Sequence, residues 1–496
     1  LFRPCDGQSG CTSGNIITPS IVGGGAEITL TMNIEPKIRI KGATISTDDI
    51  YSGYTDSDGI EHMSYYDYIV NKYADTITPT GVTSMHVGRK VTNNIDTGVY
   101  CITINVVEKK SLSELSESEI LPTELDEIPT DIVTTGEYIL HSSCLYDKGV
   151  IEVESTQCSP MYPPGTFGCG PFNGTVISFP ACAEHGNAWY TPASTQRAIP
   201  GGVSIGTTNP LAAFGGRGSG TLGFLAYDNT DDRIVGITNN HVIGYNFAAA
   251  GLNADPINYP GLDCGSAAGA SSGGGQQPPN WTVGYVTQQP SYPDNGNSSA
   301  GVQMGSVKRI HPLCYDYTQN KVDGAVIELT EEPTTTQIGL AWGPFQHATT
   351  AEINACVGSY VYKVGRTSGN ILSVSYPDVV ITTVNAAGIK LGNPNFKYNN
   401  QIVFQSVGDG DPTAGVPGDS GSGVLCCIGG ALKIVGLNFA GNYPTGICCG
   451  FSAGDINTIW PNGFQAIANR IDEVESKLDI SSWDGSIVVS TTSSNY

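Results

Sequence analysis

Three side chains of the types needed for acyl transfer stand in separate local settings along this chain. The serine is Ser420, within Gly-Asp-Ser-Gly-Ser-Gly at 418–423. Glycine permits tight turns and close backbone approach, so this string offers an exposed hydroxyl with backbone N–H groups on both sides. A nucleophilic serine needs both, because the oxyanion that develops on the attacked carbonyl must meet hydrogen-bond donors. The histidine is His241. Arg-Ile-Val-Gly-Ile at 233–237 reads as a strand, and Thr-Asn-Asn-His-Val at 238–242 ends it. An imidazole that titrates near neutrality suits a general base in a cleft. The aspartate is Asp323, which opens the apolar, β-prone run 323–329 and is carried inward with it. A buried carboxylate requires a partner, and an imidazolium is a fitting one. Singly, each residue has an ordinary reading as a loop serine, a surface histidine or a turn aspartate; the combination is far more specific.

The order His241, Asp323, Ser420 separates one form of the triad from the two others that run Asp-His-Ser and Ser-Asp-His. In that order and those contexts the chain resembles the trypsin-like (chymotrypsin-fold) serine peptidases, with the nearest likeness to bacterial-type members that lack the usual Cys after the histidine. Segments 200–206, 362–369, 400–402 and 434–441 follow that group's pattern, and a weaker match runs back toward Gly81 through 108–110, 128–133 and 135–136. The resemblance implies a double β-barrel domain with a C-terminal helix. It implies Ser420 as nucleophile, His241 as base and Asp323 as the group that orients it, with the Gly418 and Ser420 N–H groups as oxyanion hole and no metal or other cofactor. In trypsins an Asp six residues before the serine floors the primary pocket; the position here is Ala414, with Asp409 and Asp411 close by, and Phe439, Ala440 and Gly441 form the opposite wall. A small or apolar residue before the scissile bond is expected. Ile21-Val22-Gly23-Gly24 spells the mature N-terminus of the trypsins but stands a whole domain's length before His241, after Ser20, and reads as a Gly-rich linker. Asp419 therefore lacks the new amino terminus it pairs with in trypsin.

The elements that position these residues belong to a chain of 496 residues with net charge −23, long enough for two or three domains. Nucleic-acid binding is excluded as a reading, since it needs clustered Lys and Arg. No apolar run reaches the ~20 residues of a membrane helix; 424–441 comes closest but contains Lys433 and four glycines. The chain begins at Leu1, which fits removal of a secretory signal. Fourteen cysteines, with no Cys-x-x-Cys and no histidine at zinc-finger spacing, read as mostly disulfides in an oxidising, extracellular compartment. Cys144, Cys158, Cys169 and Cys182 are expected to bridge among themselves. Three sequons begin at Asn173, Asn280 and Asn297 and make a glycoprotein of it on this reading.

Along the chain, the expected architecture is mainly β: the double-barrel domain preceded by a small α/β domain and an extended N-terminal arm. Residues 1–47 are the arm, a Gly/Ser-rich stretch that becomes an alternating apolar strand over 26–47. Residues 48–140 form the small domain, with a helix over 60–74, strands over 82–90, 99–107 and 128–134, and an acidic connector at 111–127. Residues 141–200 are a Cys-rich insertion. Residues 201–478 are the peptidase domain, in which short β-prone runs alternate with Gly/Pro turns and an amphipathic helix over 462–477 ends the fold. Residues 479–496 are a Ser/Thr-rich tail. Two functional classes follow. One is an extracellular endopeptidase acting on peptide or protein substrates. The other is a structural, self-assembling surface protein on a peptidase fold, its triad vestigial or used for self-processing, whose arm pairs with a sheet edge of a neighbouring copy to give a homo-oligomer or filament.

Overall fold

The computed structural model describes residues 38–40, 43–45, 53–140 and 201–483, apart from 78–80, 93–94, 209–218, 245–284, 290, 292–301, 312–316, 331–344, 367–368, 372–378, 392, 407–413, 416–417 and 443–464. Expectations for the Cys-rich insertion, the sequons, Asp409, Asp411 and most of the arm lie outside the described residues. Of the arm, β1 (Ile38–Ile40) and β2 (Ala43–Ile45) pair with each other as an antiparallel hairpin.

The small α/β unit follows. Its hairpin of β3 (Tyr54–Thr55) and β4 (Glu61–His62) leads into α1 (Tyr65–Ala74). The helix starts later than periodicity predicted because Ser64 caps it, accepting from Asp67 N at 3.1 Å, so that the residues before Ser64 are free to form the hairpin. Tyr66, Ile69, Val70 and Ala74 fall on one helical face and pack on a sheet of β5 (Val82–Thr92), β6 (Ile95–Val106), β7 (Glu124–Leu125) and β8 (Ile128–Thr134), in the order β5-β6-β8-β7. The acidic stretch between β6 and β7 forms two 3₁₀ turns, each closed by a glutamate that accepts from a serine N–H, Glu114 from Ser111 and Glu119 from Ser116, both at 3.0 Å.

After β9 (Ile139–Leu140), the main body begins. Its first half contains β10 (Ser204–Thr207), β11 (Gly220–Thr221), β12 (Phe224–Asp228), β13 (Arg233–Thr238), α2 (Asn240–Ile243), β14 (Val286–Gln289), β15 (Val302–Ile310), β16 (Tyr317–Asn320) and β17 (Ala325–Leu329). Its second half contains α3 (Thr350–Asn354), β18 (Val361–Gly365), β19 (Gly369–Ile371), β20 (Val379–Ala386), β21 (Ile389–Leu391), β22 (Asn393–Tyr398), β23 (Gln401–Ser406), β24 (Gly423–Ile428), β25 (Ala431–Gly441) and β26 (Gln465–Arg470), then α4 (Ile471–Leu478) and β27 (Ile480–Ser482). The fold is mainly β. Two curled sheets of eight strands carry it: β11-β10-β14-β15-β17-β13-β12-β27, and β19-β18-β24-β25-β26-β23-β20 with β9 added on β25. Phe224, Val235 and Ile237 from the first sheet meet Val424, Ile434 and Leu437 from the second, with Val474 and Leu478 of α4, in one apolar core. A second core fills the first sheet from Val203, Leu225, Met304, Ile327 and Trp483.

The C-terminal region departs from expectation. Residues 465–470 are a strand rather than the first turns of a helix, because β26 pairs along its whole length with β23 on one side and β25 on the other, and the hydrogen bonds of two neighbours outweigh a helical spacing of apolar residues. Helix α4 is correspondingly short, and the residues after it enter the first sheet as β27 against β12. The cysteines also differ in part from expectation. Cys427 is disulfide-bonded, but Cys356 and Cys426 are buried thiols. Each donates to a carbonyl, Cys356 to Glu352 O at 3.2 Å and Cys426 to Cys427 O at 3.7 Å, and each packs in the central core as a small apolar side chain does.

The small unit docks on the second sheet. Met85 and Ala387 exchange both backbone hydrogen bonds, at 2.9 and 2.8 Å, and Ala387 enters the small unit's own apolar cluster. Asn385 donates to the buried Asp67 at 2.8 Å, Asn442 to Thr135 O at 2.8 Å, and Tyr138 Oη to Gln465 Oε1 at 2.7 Å.

Candidate active site

His241 lies in α2, the single helical turn entered from the end of β13, and Asp323 lies in the segment leading into β17, which pairs with β13 from Val235 to Thr238. Neighbouring strands of one sheet therefore deliver the two side chains together. His241 Nδ1 is 2.6 Å from Asp323 Oδ2, and His241 N donates to Asp323 Oδ1 at 3.1 Å. The carboxylate's own backbone is fixed: Asp323 N donates to Asn469 Oδ1 at 3.0 Å, and Asn239 Nδ2 to Asp323 O at 2.7 Å. With Nδ1–H donated to the carboxylate, Nε2 is left as acceptor. It sits 2.7 Å from Ser420 Oγ. The three residues are at most 1 % exposed. Nearby, Asn240 Nδ2 donates to His311 O at 2.9 Å, and burial pushes the His311 imidazole down to about 4, so it is neutral above that.

The serine comes from the second sheet, on the loop that enters β24. This loop is pressed against the first sheet: Thr221 N donates to Ser420 O at 2.7 Å, and Thr221 Oγ1 to Gly418 O at 2.9 Å. Gly421 has φ +91°, and a Cβ there would collide with Thr221 O. Glycine is required at this position by both conformation and space. Among the described residues, the Gly418 and Ser420 N–H groups have no acceptor, whereas Gly421 N donates to Asn438 O at 2.8 Å. Paired, buried N–H groups without acceptors are uncommon in folded chains.

Sequence reading left Asp419 without its cation. The structure supplies one: Lys363 Nζ, from β18, is 2.6 Å from Asp419 Oδ2, and both side chains are fully buried. Burial pulls the Lys363 ammonium down from its ordinary range, and Asp419 opposes that pull. The Asp419 carbonyl also accepts from Ser422 Oγ at 2.6 Å and Asn438 Nδ2 at 3.1 Å. A lysine inside the otherwise apolar run Val-Tyr-Lys-Val-Gly is the one local sign that could have marked it.

Of the pocket residues expected from sequence, Phe439, Ala440 and Gly441 form the end of β25 next to the serine; Ser420 Oγ is 3.3 Å from Phe439 O. Phe439 and Ala440 pack with Tyr138, Tyr398 and Ile467. Ala414 is buried in the central core, a different cluster. Strand β24 accompanies β25 only as far as Leu437. Beyond it the β25 edge is taken by β9, with Leu140 opposite Ala440 and Ile139 opposite Gly441, antiparallel. Among the described residues there is no cluster of three or more His, Cys, Asp or Glu fit to hold a metal ion, and no helix long and apolar enough to cross a membrane.

The structure matches bacterial chymotrypsin-fold serine proteases at low sequence identity. A glutamic-acid-specific serine protease shares 13 % identity, over 57 % of this chain and 100 % of that one, with a TM-score of 0.31. Cellulomonas bogoriensis chymotrypsin shares 14 % over 58 % and 98 % (TM-score 0.30), and Thermobifida fusca protease A 16 % over 57 % and 97 % (TM-score 0.29). No protein-family model matches the chain, and no curated protein matches it. Likeness this slight assigns no activity; the chemistry rests on the distances within this chain.

Proposed function

We propose that the protein is a serine endopeptidase that cleaves peptide bonds through an acyl-enzyme on Ser420. The observation that carries this reading is the unbroken hydrogen-bonded line Asp323–His241–Ser420, at 2.6 and 2.7 Å. Ser420 Oγ attacks the carbonyl carbon while His241 Nε2 takes the hydroxyl proton. The resulting imidazolium, held by Asp323, returns that proton to the leaving amine. Water then attacks the acyl-enzyme by the same route and restores Ser420. The Gly418 and Ser420 N–H groups meet the oxyanion, and loss of one such donor typically costs about 10²–10³ in rate. Lys363 is a positioning residue: by holding Asp419 it fixes the peptide planes on either side of it and so the direction of both donors. A disulfide at Cys427 fits an extracellular setting.

The test is covalent labelling of the folded full-length chain by a small fluorophosphonate. Adduct formation at Ser420 and its disappearance in Ser420→Ala, with hydrolysis falling by about 10⁴ or more, are the expected results. A folded wild-type protein that forms no adduct on prolonged exposure would overturn the reading.

A further inference from the structure

The β25 edge beside Ser420 is occupied by this chain itself. A strand edge that loses its neighbour exposes unpaired N–H and C=O groups, and an extended peptide can bind there by strand addition. On β25 that vacancy opens past Asn438, whose N–H and C=O are still taken by Ser422 and Gly421, and the residues that follow run past the serine, whose Oγ lies 3.3 Å from Phe439 O. Strand β9 fills it. Because β9 is antiparallel to β25, its direction from Ile139 to Leu140 runs from Gly441 to Ala440, toward Phe439 and Ser420. A peptide approaching Ser420 along this edge would need the same backbone groups.

The occupant is held firmly. Tyr138, immediately before β9, is fully buried against Phe439 and Ala440. Its hydroxyl donates to Gln465 Oε1 at 2.7 Å and accepts from Asn105 Nδ2 at 3.3 Å, which ties the main body to β6 of the small unit. Asn442, just past β25, donates to Thr135 O at 2.8 Å. The Met85–Ala387 bridge and the Asn385–Asp67 hydrogen bond clamp the other side of the same unit.

We propose that the small α/β unit is a built-in inhibitor of the peptidase, with β9 as the resident strand on the peptide-binding edge. The proposal rests on Ser420 being the nucleophile. It assigns the unit a regulatory role in competition with extended peptides: a tethered strand acts at an effective concentration on the order of millimolar, so micromolar peptide displaces it poorly. Small acyl donors that need no strand pairing escape this competition.

The experiment compares the full-length wild type with Ile139→Pro/Leu140→Pro, which removes both β9 N–H groups, and with Leu112→Ser, an exposed position on the same unit, as control. Three rates are read: Ser420 labelling by a small fluorophosphonate, hydrolysis of a small aryl ester, and hydrolysis of a blocked tetrapeptide anilide. In the double variant, kcat/KM for the anilide should rise about tenfold or more, chiefly through KM, while the ester rate changes less than about twofold. The control should match wild type. Tyr138→Phe, which keeps the packing and removes the hydroxyl's hydrogen bonds to Gln465 and Asn105, should raise the anilide rate about threefold or more and stands in if the double variant misfolds. Normal labelling with no selective gain on the anilide in either variant overturns the inhibition and leaves the peptidase standing. No labelling in any of the proteins removes both.

Discussion

Lys363 and Asp419 face each other across 2.6 Å with neither side chain reached by solvent. An isolated buried charge is costly, and removing one member of such a pair typically destabilises a protein by about 3–5 kcal/mol, much more than an exposed pair contributes. Lys363→Met is therefore expected to lower the unfolding free energy, measured by urea titration, by an amount of that order and to reduce kcat for small esters with little change in KM. Lys363→Arg should restore most of both. Equal loss in the Arg and Met variants would mean that the cation is not what matters. At this scale the sequence was legible where a residue's own neighbours define its role. Ser420 sits in its glycine turn, and His241 and Asp323 sit at strand boundaries, and the structure brings these three together. Lys363 was not legible, because its partner lies 56 positions away and no local pattern links them. Ala414 went to the central core because its distance in sequence from Ser420 says nothing of how the intervening loop is routed.

Among the elements, the junction of β12, β15, α4 and β27 is stitched by Asp228. Its buried carboxylate accepts from Arg309 Nη1 at 2.8 Å, Lys308 Nζ at 2.6 Å and Thr230 N at 2.9 Å, and Arg309 Nε reaches on to Leu478 O at 2.9 Å. Burial works against ionisation, but these donors outweigh it and hold the acid well below the usual carboxylate range. A depressed carboxylate contributes its full stability above the unfolded value near 3.8 and loses it as pH falls through the folded value. Acid unfolding of the main body should thus begin below about pH 4, and Asp228→Asn should flatten that limb while lowering stability at pH 7; thermal melts across pH 2–7 measure both. Strand identity was readable where β-branched and other apolar residues cluster between turn residues, as in β5, β6 and β8. It failed at β26, where Ile467, Ile471 and Val474 mimic a helical stripe although Ile467 belongs to a strand between two others. It failed again at β9, whose two residues are too few to show any period and whose partner is three hundred positions distant.

At the scale of the whole molecule, the contact between the small unit and the main body contains a histidine that must stay neutral. His86 is enclosed beside Asn105, which also donates to Tyr138 Oη, and burial pushes its imidazole down to about 4 from 6.5. Above 6.5 neither the folded nor the unfolded chain protonates there. Between 6.5 and about 4 the unfolded chain takes up a proton that the folded chain refuses, so stability falls across that window, by about 3 kcal/mol at its acid end. His86→Gln should remove this component, and hydrogen exchange of β5 and β6 amides at pH 7 and pH 5 would reveal it as protection lost in wild type and retained in the variant. The position of β27 has a consequence for biosynthesis. The sheet that carries His241 and Asp323 includes residues 480–482, so during translation it stays incomplete until those residues have left the ribosome. The small unit precedes that sheet in the chain and is built largely from a hairpin between adjacent strands, a topology that forms early. Strand β9 is thus synthesised before the β25 edge that it covers, and the cover is already in the nascent chain when that edge first forms.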